Sequence, residues 1–219
     1  MELQGKKIVF LGDSITEGHG TSGVEHHFVT LVGKEGGFRE SKNYGIGGTR
    51  IARQIGTSDN SVWDKDFCAR VEELDEDADI IGVFGGTNDF GHGDAPLGTF
   101  NDRDVHTFYG ACHYLMTRLL ERFPGKTIFF MTPIHRLNED NMKGDGYKAY
   151  NVANLNTYVE IIREVAEYYS IPVLDLHKVS GIQPKVDIIR ERFIPDGLHP
   201  NDAGHELLTA RILGFLKAL

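Results

Sequence analysis

The chain has 219 residues, of which 40% are hydrophobic and 25% are charged, and its net charge is −9 at pH 7. This length and composition are typical of one globular α/β domain over residues 1–219, and they exclude wholesale disorder and a fibrous repeat. The negative charge, without a stripe of Lys and Arg, argues against nucleic acid as a partner, and no apolar run is long enough to span a bilayer.

Short β-like runs alternate with longer helical patterns along the chain, which is typical of a parallel sheet covered by helices. The predicted strands are residues 7–11, 41–44, 79–84, 127–131 and 171–174. Helices are predicted over residues 105–123, about 147–169 and from 201 onward. Five strands fit a three-layer α/β/α sandwich.

Two long segments have no helical or strand pattern, namely residues 85–104, which are rich in Gly, His and Asp, and residues 133–146. Each follows a predicted strand, so each should leave the sheet at its carboxyl edge, where open α/β folds bind their ligands. Long loops inside a compact domain are often functional. We therefore expect the functional site at this edge.

The stretch GDSITEG, residues 12–18, follows the first predicted strand and allows two interpretations of Ser14. Ser14 and Glu17 have the S-x-x-E spacing of a capping box, which would make Ser14 only the N-cap of the first helix. A serine at such a turn is also a candidate nucleophile, provided that a base removes its proton. That base should come from another segment at the same edge of the sheet.

The stretch DGLHP, residues 196–200, precedes the last predicted helix and contains a candidate base. His199 can accept a proton from a serine hydroxyl. Asp196, three residues earlier, can hold the tautomer of His199 and favour the imidazolium. A Ser-His-Asp arrangement of Ser14, His199 and Asp196 is therefore one hypothesis for this edge.

A serine that attacks a carbonyl also needs hydrogen-bond donors for the developing oxyanion. The backbone N–H of Ser14 should lie near a helix start, where N–H groups are unpaired. The stretch GIGGTR allows a second close backbone approach, at Gly47 or Gly48. The side-chain amide of Asn88, in GGTND, can donate a third hydrogen bond.

In these blocks the sequence resembles the SGNH hydrolases, also called GDSL-type esterases and lipases. The matching blocks are GDSITEG at 12–18, NYGIGG at 43–48, GGTND at 85–89 and DGLHP at 196–200. They lie in the family's order and spacing over nearly the whole chain. Ile15 stands where the name motif has leucine, and the register of the second block favours Gly48 over Gly47 as the donor.

The resemblance implies a flavodoxin-like fold with a five-stranded parallel sheet of order 2-1-3-4-5. It implies a catalytic triad of Ser14, Asp196 and His199. It also implies an oxyanion hole formed by Ser14, Gly48 and Asn88, and it implies no metal or cofactor.

Other residues near these blocks are assigned simpler roles. Asp13 and Asp89 are expected to organise loops through hydrogen bonds. Four loop histidines lack the ligand spacing of a zinc site, so we assign no metal to them: His19, His26, His27 and His92. Four aromatic residues are open to two interpretations, as the lining of an acyl or sugar pocket or as ordinary anchors of core and loops: Trp63, Phe90, Phe100 and Tyr147.

The N-terminus lacks an apolar segment with a cleavage site, so we expect a cytoplasmic protein. The two cysteines, Cys68 and Cys112, have no Cys-x-x-Cys partner, and we predict two buried, reduced thiols.

We expect a serine ester hydrolase that acts on a small-molecule ester through an acyl-enzyme. Short acyl groups, such as acetyl esters of a carbohydrate, are favoured because no apolar lid helix or membrane-binding face is evident. A thioesterase or lysophospholipase with the same site is an alternative, and a non-catalytic binding module is the rival from another class. The G-x-S-x-G elbow of α/β-hydrolases and the glycine-rich nucleotide loops are absent from the sequence.

Overall fold

The computed structural model describes residues 1–219. The strands are β1 (Lys7–Gly12), β2 (Glu40–Gly45), β3 (Ile80–Phe84), β4 (Thr127–Met131) and β5 (Val173–Leu174). The α-helices are α1 (Ser14–Glu17), α2 (Phe28–Glu35), α3 (Phe67–Arg70), α4 (Thr87–Gly91), α5 (Phe108–Arg122), α6 (Leu155–Tyr168), α7 (Leu176–Val179), α8 (Asp187–Phe193) and α9 (Asp202–Ala218). Short 3₁₀ helices lie at Val24–His26 and Val71–Glu73. None of the helices has both the length and the apolar character needed to cross a lipid bilayer.

The five strands form one parallel sheet with the order β2-β1-β3-β4-β5, which confirms the predicted topology. The order reverses direction between β1 and β3, and such a switch point is where doubly wound sheets bind ligands. At the carboxyl edge, Gly12 of β1 is in register with Gly45 of β2 and Phe84 of β3. The loops that follow these three strands therefore start side by side.

Hydrophobic side chains cover both faces of the sheet. Along β1, Val9 and Leu11 belong to a core of 31 buried residues on one face, whereas Ile8 and Phe10 belong to a core of 20 on the other. Helices α5 and α6 cover the first face, and α2 and α9 cover the second. The alternation follows from the two-residue period of a strand, and the result is the predicted three-layer α/β/α sandwich.

The predicted helix over residues 147–169 begins later than expected. Helix α6 starts at Leu155 because the side chain of Asn154 accepts a hydrogen bond from the N–H of Thr157 (3.2 Å) and caps the helix. The preceding residues form a loop in which Lys148 Nζ donates to the backbone oxygen of Asp89 (2.8 Å). This loop thus joins the third block of the sequence instead of extending the helix.

Two further boundaries differ from the sequence prediction. Helix α5 begins at Phe108 and not at 105, because the Thr107 hydroxyl accepts a hydrogen bond from the N–H of Gly110 (3.1 Å). Strand β5 has two residues instead of four, and Pro172 directly before it has no N–H for the ladder. Neither change moves the carboxyl ends of the strands that carry the candidate site residues.

The two cysteines are buried and form no disulfide, as predicted. Burial raises the pKa of the thiols of Cys68 and Cys112 well above the ordinary value. Both therefore stay protonated at neutral pH, and a protonated thiol is a poor nucleophile.

Candidate active site

Three side chains at the carboxyl edge form a continuous hydrogen-bonded series. Ser14 Oγ lies 3.0 Å from Nε2 of His199, and Nδ1 of His199 lies 2.7 Å from Oδ2 of Asp196. Ser14 is the first residue of α1, directly after β1, whereas the other two lie in the turn before α9. The fold thus brings Ser14 and His199 together across 185 positions of sequence.

The turn of residues 196–199 fixes the protonation of its imidazole. Oδ1 of Asp196 accepts hydrogen bonds from the N–H groups of Leu198 (2.8 Å) and His199 (2.7 Å), which leaves Oδ2 for the ring. Burial raises the pKa of Asp196, but the hydrogen bonds from His199 and Leu198 outweigh it and bring the pKa to about 2. Because a carboxylate only accepts, Nδ1 of His199 carries the proton and the lone pair on Nε2 faces Ser14.

Asp13, and not Ser14, caps the first helix. Oδ1 of Asp13 accepts a hydrogen bond from the N–H of Ile15 (3.0 Å), and Ser14 is already helical. The capping-box interpretation of Ser14 is therefore wrong. Oε2 of Glu17 accepts instead from the N–H of Gly47 (2.7 Å), in the loop after β2. The hydroxyl of Ser14 is left to face the imidazole.

Two backbone N–H groups near Ser14 are without a partner. The N–H of Ser14 lies in the first turn of α1, where backbone N–H groups find no acceptor within the helix. The N–H of Gly48 makes no hydrogen bond within the chain, whereas that of Gly47 is bound to Glu17. Gly48 has a φ of +76°, a left-handed conformation that glycine adopts without strain.

The third block couples α4 to the loop after β2. Asn88 Nδ2 donates one hydrogen to the backbone oxygen of Thr49 (3.0 Å), which orients the amide and leaves its second hydrogen free. Next to it, the buried carboxylate of Asp89 accepts from the N–H groups of Ile51 (3.0 Å) and Ala52 (2.9 Å). Asp89 thus organises the loop as predicted, and burial raises its pKa.

Ser14, Gly48, Asn88 and His199 line one open cavity of about 390 Å³. Four of its fourteen lining residues are hydrophobic, and these include Trp63. The Trp63 ring lies so close to Gly48 that a Cβ at that position would come within 2.4 Å of the ring. Any side chain at position 48 would therefore displace the wall of the cavity.

Two of the four loop histidines also line this cavity. His92 Nδ1 is 2.9 Å from Nη1 of Arg50, and burial, together with the charge of Arg50, lowers the pKa of His92 to about 4. His92 is therefore neutral at neutral pH and accepts from the guanidinium. His19 is half exposed, with Nε2 3.1 Å from Glu17 and its ring 5.6 Å from that of His199.

The four aromatic residues that the sequence left open divide into two groups. Trp63 lines the cavity at Ser14, and Tyr147 lines a neighbouring cavity of about 660 Å³. Phe90 is fully buried in the core, and Phe100 packs edge to face on His113 at 5.1 Å. Of these four residues, only Trp63 and Tyr147 line one of these two cavities.

Sequence reasoning missed Arg70, a residue of α3 whose side chain hydrogen-bonds to three segments next to Ser14. Its buried guanidinium donates from Nη1 to the backbone oxygen of Gly12 (3.1 Å) and to the Thr49 hydroxyl (3.0 Å), and from Nη2 to the backbone oxygen of Tyr44. These hydrogen bonds tie the ends of β1 and β2 to the loop that carries Gly48. A single arginine in a helical segment has no sequence signal that would have identified this role.

A comparison with protein-family models agrees with this geometry. The model described as the GDSL-like Lipase/Acylhydrolase family matches residues 10–207, a span that contains all four sequence blocks. The chain belongs to this family. A search of curated proteins finds no match to this GDSL-like chain.

Solved structures share the fold of this GDSL-like protein. A protein from Lactobacillus plantarum is 30% identical, with 98% of each chain covered and a TM-score of 0.83. The lipase/acylhydrolase from Enterococcus faecalis is 23% identical, with 97% of this chain and 96% of that one covered and a TM-score of 0.63. A two-domain esterase active on acetylated mannans is 22% identical, with a TM-score of 0.66, and the match covers 98% of this chain and 49% of the esterase.

Proposed function

We propose that this GDSL-like protein is a serine ester hydrolase that cleaves carboxylic esters through an acyl-enzyme intermediate. The observation that carries the proposal is the hydrogen-bonded series from Ser14 to His199 (3.0 Å) and from His199 to Asp196 (2.7 Å). A serine hydroxyl is a weak nucleophile until a base takes its proton. The Nε2 lone pair of His199 is in position to do so.

In the proposed reaction, Ser14 Oγ attacks the ester carbonyl while its proton moves to Nε2 of His199, and Asp196 stabilises the imidazolium. The tetrahedral intermediate collapses as the C–O bond to the alcohol breaks, and the alcohol leaves with the proton from His199. Water then gives a proton to the same imidazole and attacks the acyl-enzyme. Collapse of the second intermediate releases the acid, and His199 returns the proton to Ser14.

We assign the oxyanion hole to the N–H groups of Ser14 and Gly48 and to Nδ2 of Asn88. Gly48 is preferred to Gly47 because the N–H of Gly47 is already bound to Glu17. Donors that are fixed before the reaction cost no reorganisation when charge develops on the carbonyl oxygen, and one such donor contributes about 10²–10³ in kcat.

We further propose that the acyl group is short, as in an acetyl ester. The cavity at Ser14 has a volume of about 390 Å³. Four of its fourteen lining residues are hydrophobic, and the other ten are polar, charged or glycine. A long acyl chain gains affinity only where apolar surface covers it. The cavity is open and takes apolar surface from four residues only, so it covers few carbons of an acyl chain, and a long chain would have to extend into the neighbouring cavity of about 660 Å³.

A carbohydrate alcohol suits the surroundings of this cavity. Trp63 is 41% exposed at its rim, and Tyr147 and Tyr150 expose their rings at the neighbouring cavity. His92 lines both cavities, so the two adjoin. Exposed aromatic faces beside polar groups can pack on sugar rings, whose faces are apolar and whose rims carry hydroxyls. The structurally similar esterase that is active on acetylated mannans supports this assignment.

The first experiment compares hydrolysis of p-nitrophenyl acetate, butyrate and octanoate by the wild type and Ser14→Ala, beside a panel of acetylated sugars. We expect the acetate to react fastest and Ser14→Ala to lower kcat by about 10⁴-fold or more. Ser22→Ala is the matched control, because Ser22 is exposed, lies outside the cavity and donates its hydroxyl to Asp202 (2.6 Å). Its kcat should equal that of the wild type.

Each part of the proposal has its own contrary outcome. Full activity of Ser14→Ala would exclude the serine mechanism, and fastest turnover of octanoate would exclude the short acyl group. A preference for acyl thioesters or lysophospholipids, added to the same panel, would favour the thioesterase or lysophospholipase alternative. A folded wild type without turnover of any of these would favour a binding module.

A further inference from the structure

A second group of potential ligand atoms lies beyond the cavity at Ser14. His135 and Glu139 belong to the segment after β4, and His177 belongs to α7, which follows the neighbouring strand β5. One nitrogen or carboxylate oxygen from each of the three residues lies within 4.8 Å of those of the other two. Nδ1 of His135 is 2.6 Å from Oε2 of Glu139, and the two imidazole rings have centroids 3.8 Å apart.

An unpaired polar atom in this group points to a missing partner. Nδ1 of His177 is buried and makes no hydrogen bond. Buried polar atoms in proteins nearly always have a partner, because leaving one unpaired costs its full desolvation. A bound ion would give this nitrogen the partner that the chain does not supply.

The two carboxylate oxygens of Glu139 have different partners. Glu139 is buried, with 8% of the residue exposed, and Oε1 is 2.8 Å from Nζ of Lys185. Lys185 also pairs with Asp140, so two carboxylates share one ammonium group and leave one negative charge in excess. Oε2 of Glu139 faces Nδ1 of His135 (2.6 Å), and a cation bound by both atoms would take the place of the proton between them.

We propose that His135, Glu139 and His177 bind a zinc-like divalent transition-metal ion. Two imidazoles and one carboxylate are a donor set that zinc prefers, whereas Mg²⁺ and Ca²⁺ require oxygen ligands. Tetrahedral zinc with bonds of about 2.0–2.2 Å needs ligand atoms roughly 3.4 Å apart. The ligand atoms lie within 4.8 Å of one another, so the widest pair has to close by at most about 1.4 Å, whereas Nδ1 of His135 and Oε2 of Glu139, at 2.6 Å, have to separate by about 0.8 Å. His135 is a quarter exposed, which leaves a route to solvent for the ion and for a fourth, water ligand.

The position of the site indicates a structural role for the ion. Leu137 lies between two of the ligands in sequence, and its N–H donates to the backbone oxygen of Gly197 (2.8 Å). The Leu137 Cβ is so close to Gly197 that a Cβ there would come within 2.7 Å. Gly197 belongs to the turn that carries Asp196 and His199, so an ion held by His135 and Glu139 would stabilise the segment against which this turn packs.

The sequence analysis did not identify these residues because nothing local connects them. His135 and Glu139 are four positions apart, but they lie in a segment without helix, and His177 is supplied by another strand-to-helix turn. Only the pairing of β4 with β5 brings the two segments together.

The test uses untagged, full-length protein that has been treated with a chelator and dialysed, to which ZnCl₂ is added. We expect one bound zinc per chain by elemental analysis. At a free zinc concentration a hundredfold above Kd, we expect Tm to rise by about 5–10 °C. MgCl₂ and CaCl₂ should leave Tm unchanged.

The variants His177→Gln and His135→Gln should each lose the bound zinc and the rise in Tm. His106→Gln is the matched control, since Nδ1 of His106 is 2.9 Å from Asp104 in an exposed pair that has no second imidazole. It should bind zinc like the wild type. The proposal is overturned if the wild type binds no stoichiometric zinc, or if either ligand variant keeps it. A wild type that binds no stoichiometric zinc overturns the proposal by itself, so the test does not depend on whether a variant folds. Neither result depends on esterase activity.

Discussion

Two of the histidine-carboxylate pairs in the segments that follow the strands of this sheet or precede α9 have nearly the same internal geometry. His199 Nδ1 is 2.7 Å from Asp196, and His135 Nδ1 is 2.6 Å from Glu139. A pair of this kind orients an imidazole and fixes its tautomer wherever it occurs. The pair alone therefore does not determine what the histidine does.

The difference lies in the third group. Beside His199 the third group is the hydroxyl of Ser14, 3.0 Å from Nε2 and open to a cavity. Beside His135 it is a second imidazole, that of His177, and no serine or cysteine hydrogen-bonds to either ring. Next to a hydroxyl, the pair can accept and return a proton, whereas next to a second imidazole it can act as a set of metal ligands.

The largest effect should come from removing the imidazole that faces the hydroxyl. His199→Gln is expected to lower kcat for p-nitrophenyl acetate by about 10⁴–10⁶-fold, because glutamine cannot take the proton of Ser14. His106→Gln breaks an exposed histidine-aspartate pair with no hydroxyl behind it, and its kcat should stay within about twofold of the wild type. Equal losses in the two variants would mean that the third group does not matter.

Changing the carboxylate while keeping its shape should have the next largest effect. In Asp196→Asn, the amide oxygen can still accept from the N–H groups of Leu198 and His199, so the turn should keep its fold. The amide nitrogen would then donate to Nδ1 of His199 and move its proton to Nε2, the wrong tautomer for a base. We expect kcat to fall by about 10³–10⁴-fold at an unchanged Tm. A loss below tenfold would show that Asp196 does not set the tautomer.

Asp13 is the contrasting carboxyl of the site, since it has no imidazole partner. Burial raises its pKa to about 7, and the hydrogen bond from Ile15 only partly offsets this. Between pH 4 and 7 the unfolded chain has released this proton and the folded chain has not, so the stability of the wild type falls as pH rises. The loss is at most about 4 kcal/mol, because the pKa lies about three pH units above its ordinary value.

Asp13→Asn removes this titration and keeps an acceptor for the helix cap. Urea unfolding at pH 5 and pH 8 should therefore show the variant gaining stability relative to the wild type at the higher pH. Parallel curves for the two proteins at both values would show that Asp13 is already ionised in the folded state at pH 5.

The sheet order and the position of the candidate site were accessible from sequence for specific reasons. Four of the five strands are short apolar runs, the polar β2 being the exception, and the four blocks lie at the ends of strands or before the last helix. Helix α6 was predicted to start too early because residues 147–154 contain no proline or glycine that would mark a loop. Only the N-cap at Asn154 separates this loop from the helix. Hydrophobic periodicity does not show where a side-chain cap starts a helix when the apolar pattern continues on both sides of the cap.

The supporting contacts of the site were not accessible in the same way. Arg70 holds Gly12 and Thr49, and Glu17 holds Gly47, through hydrogen bonds between segments that are far apart in sequence. The identity of such a residue is decided by the position of its partner in space, which a single sequence does not contain. The register of the second block already favoured Gly48 over Gly47, and the hydrogen bond from the N–H of Gly47 to Glu17 adds a structural reason for that choice.

The smallest predicted effect concerns the hydrogen bond from the N–H of Gly47 to Glu17, and it distinguishes a positioning role of Glu17 from a catalytic one. Glu17→Ala leaves the N–H of Gly47 without its acceptor, so the loop that carries Gly48 should lose part of its fixed geometry. We expect kcat to fall about tenfold with little change in KM, which corresponds to the loss of one charge-assisted hydrogen bond. Glu17→Gln should restore most of kcat, because its amide oxygen can accept from the same N–H, whereas a role for the negative charge itself would leave both variants equally slow. Unchanged kcat in Glu17→Ala would mean that the loop after β2 holds its donor without this carboxylate.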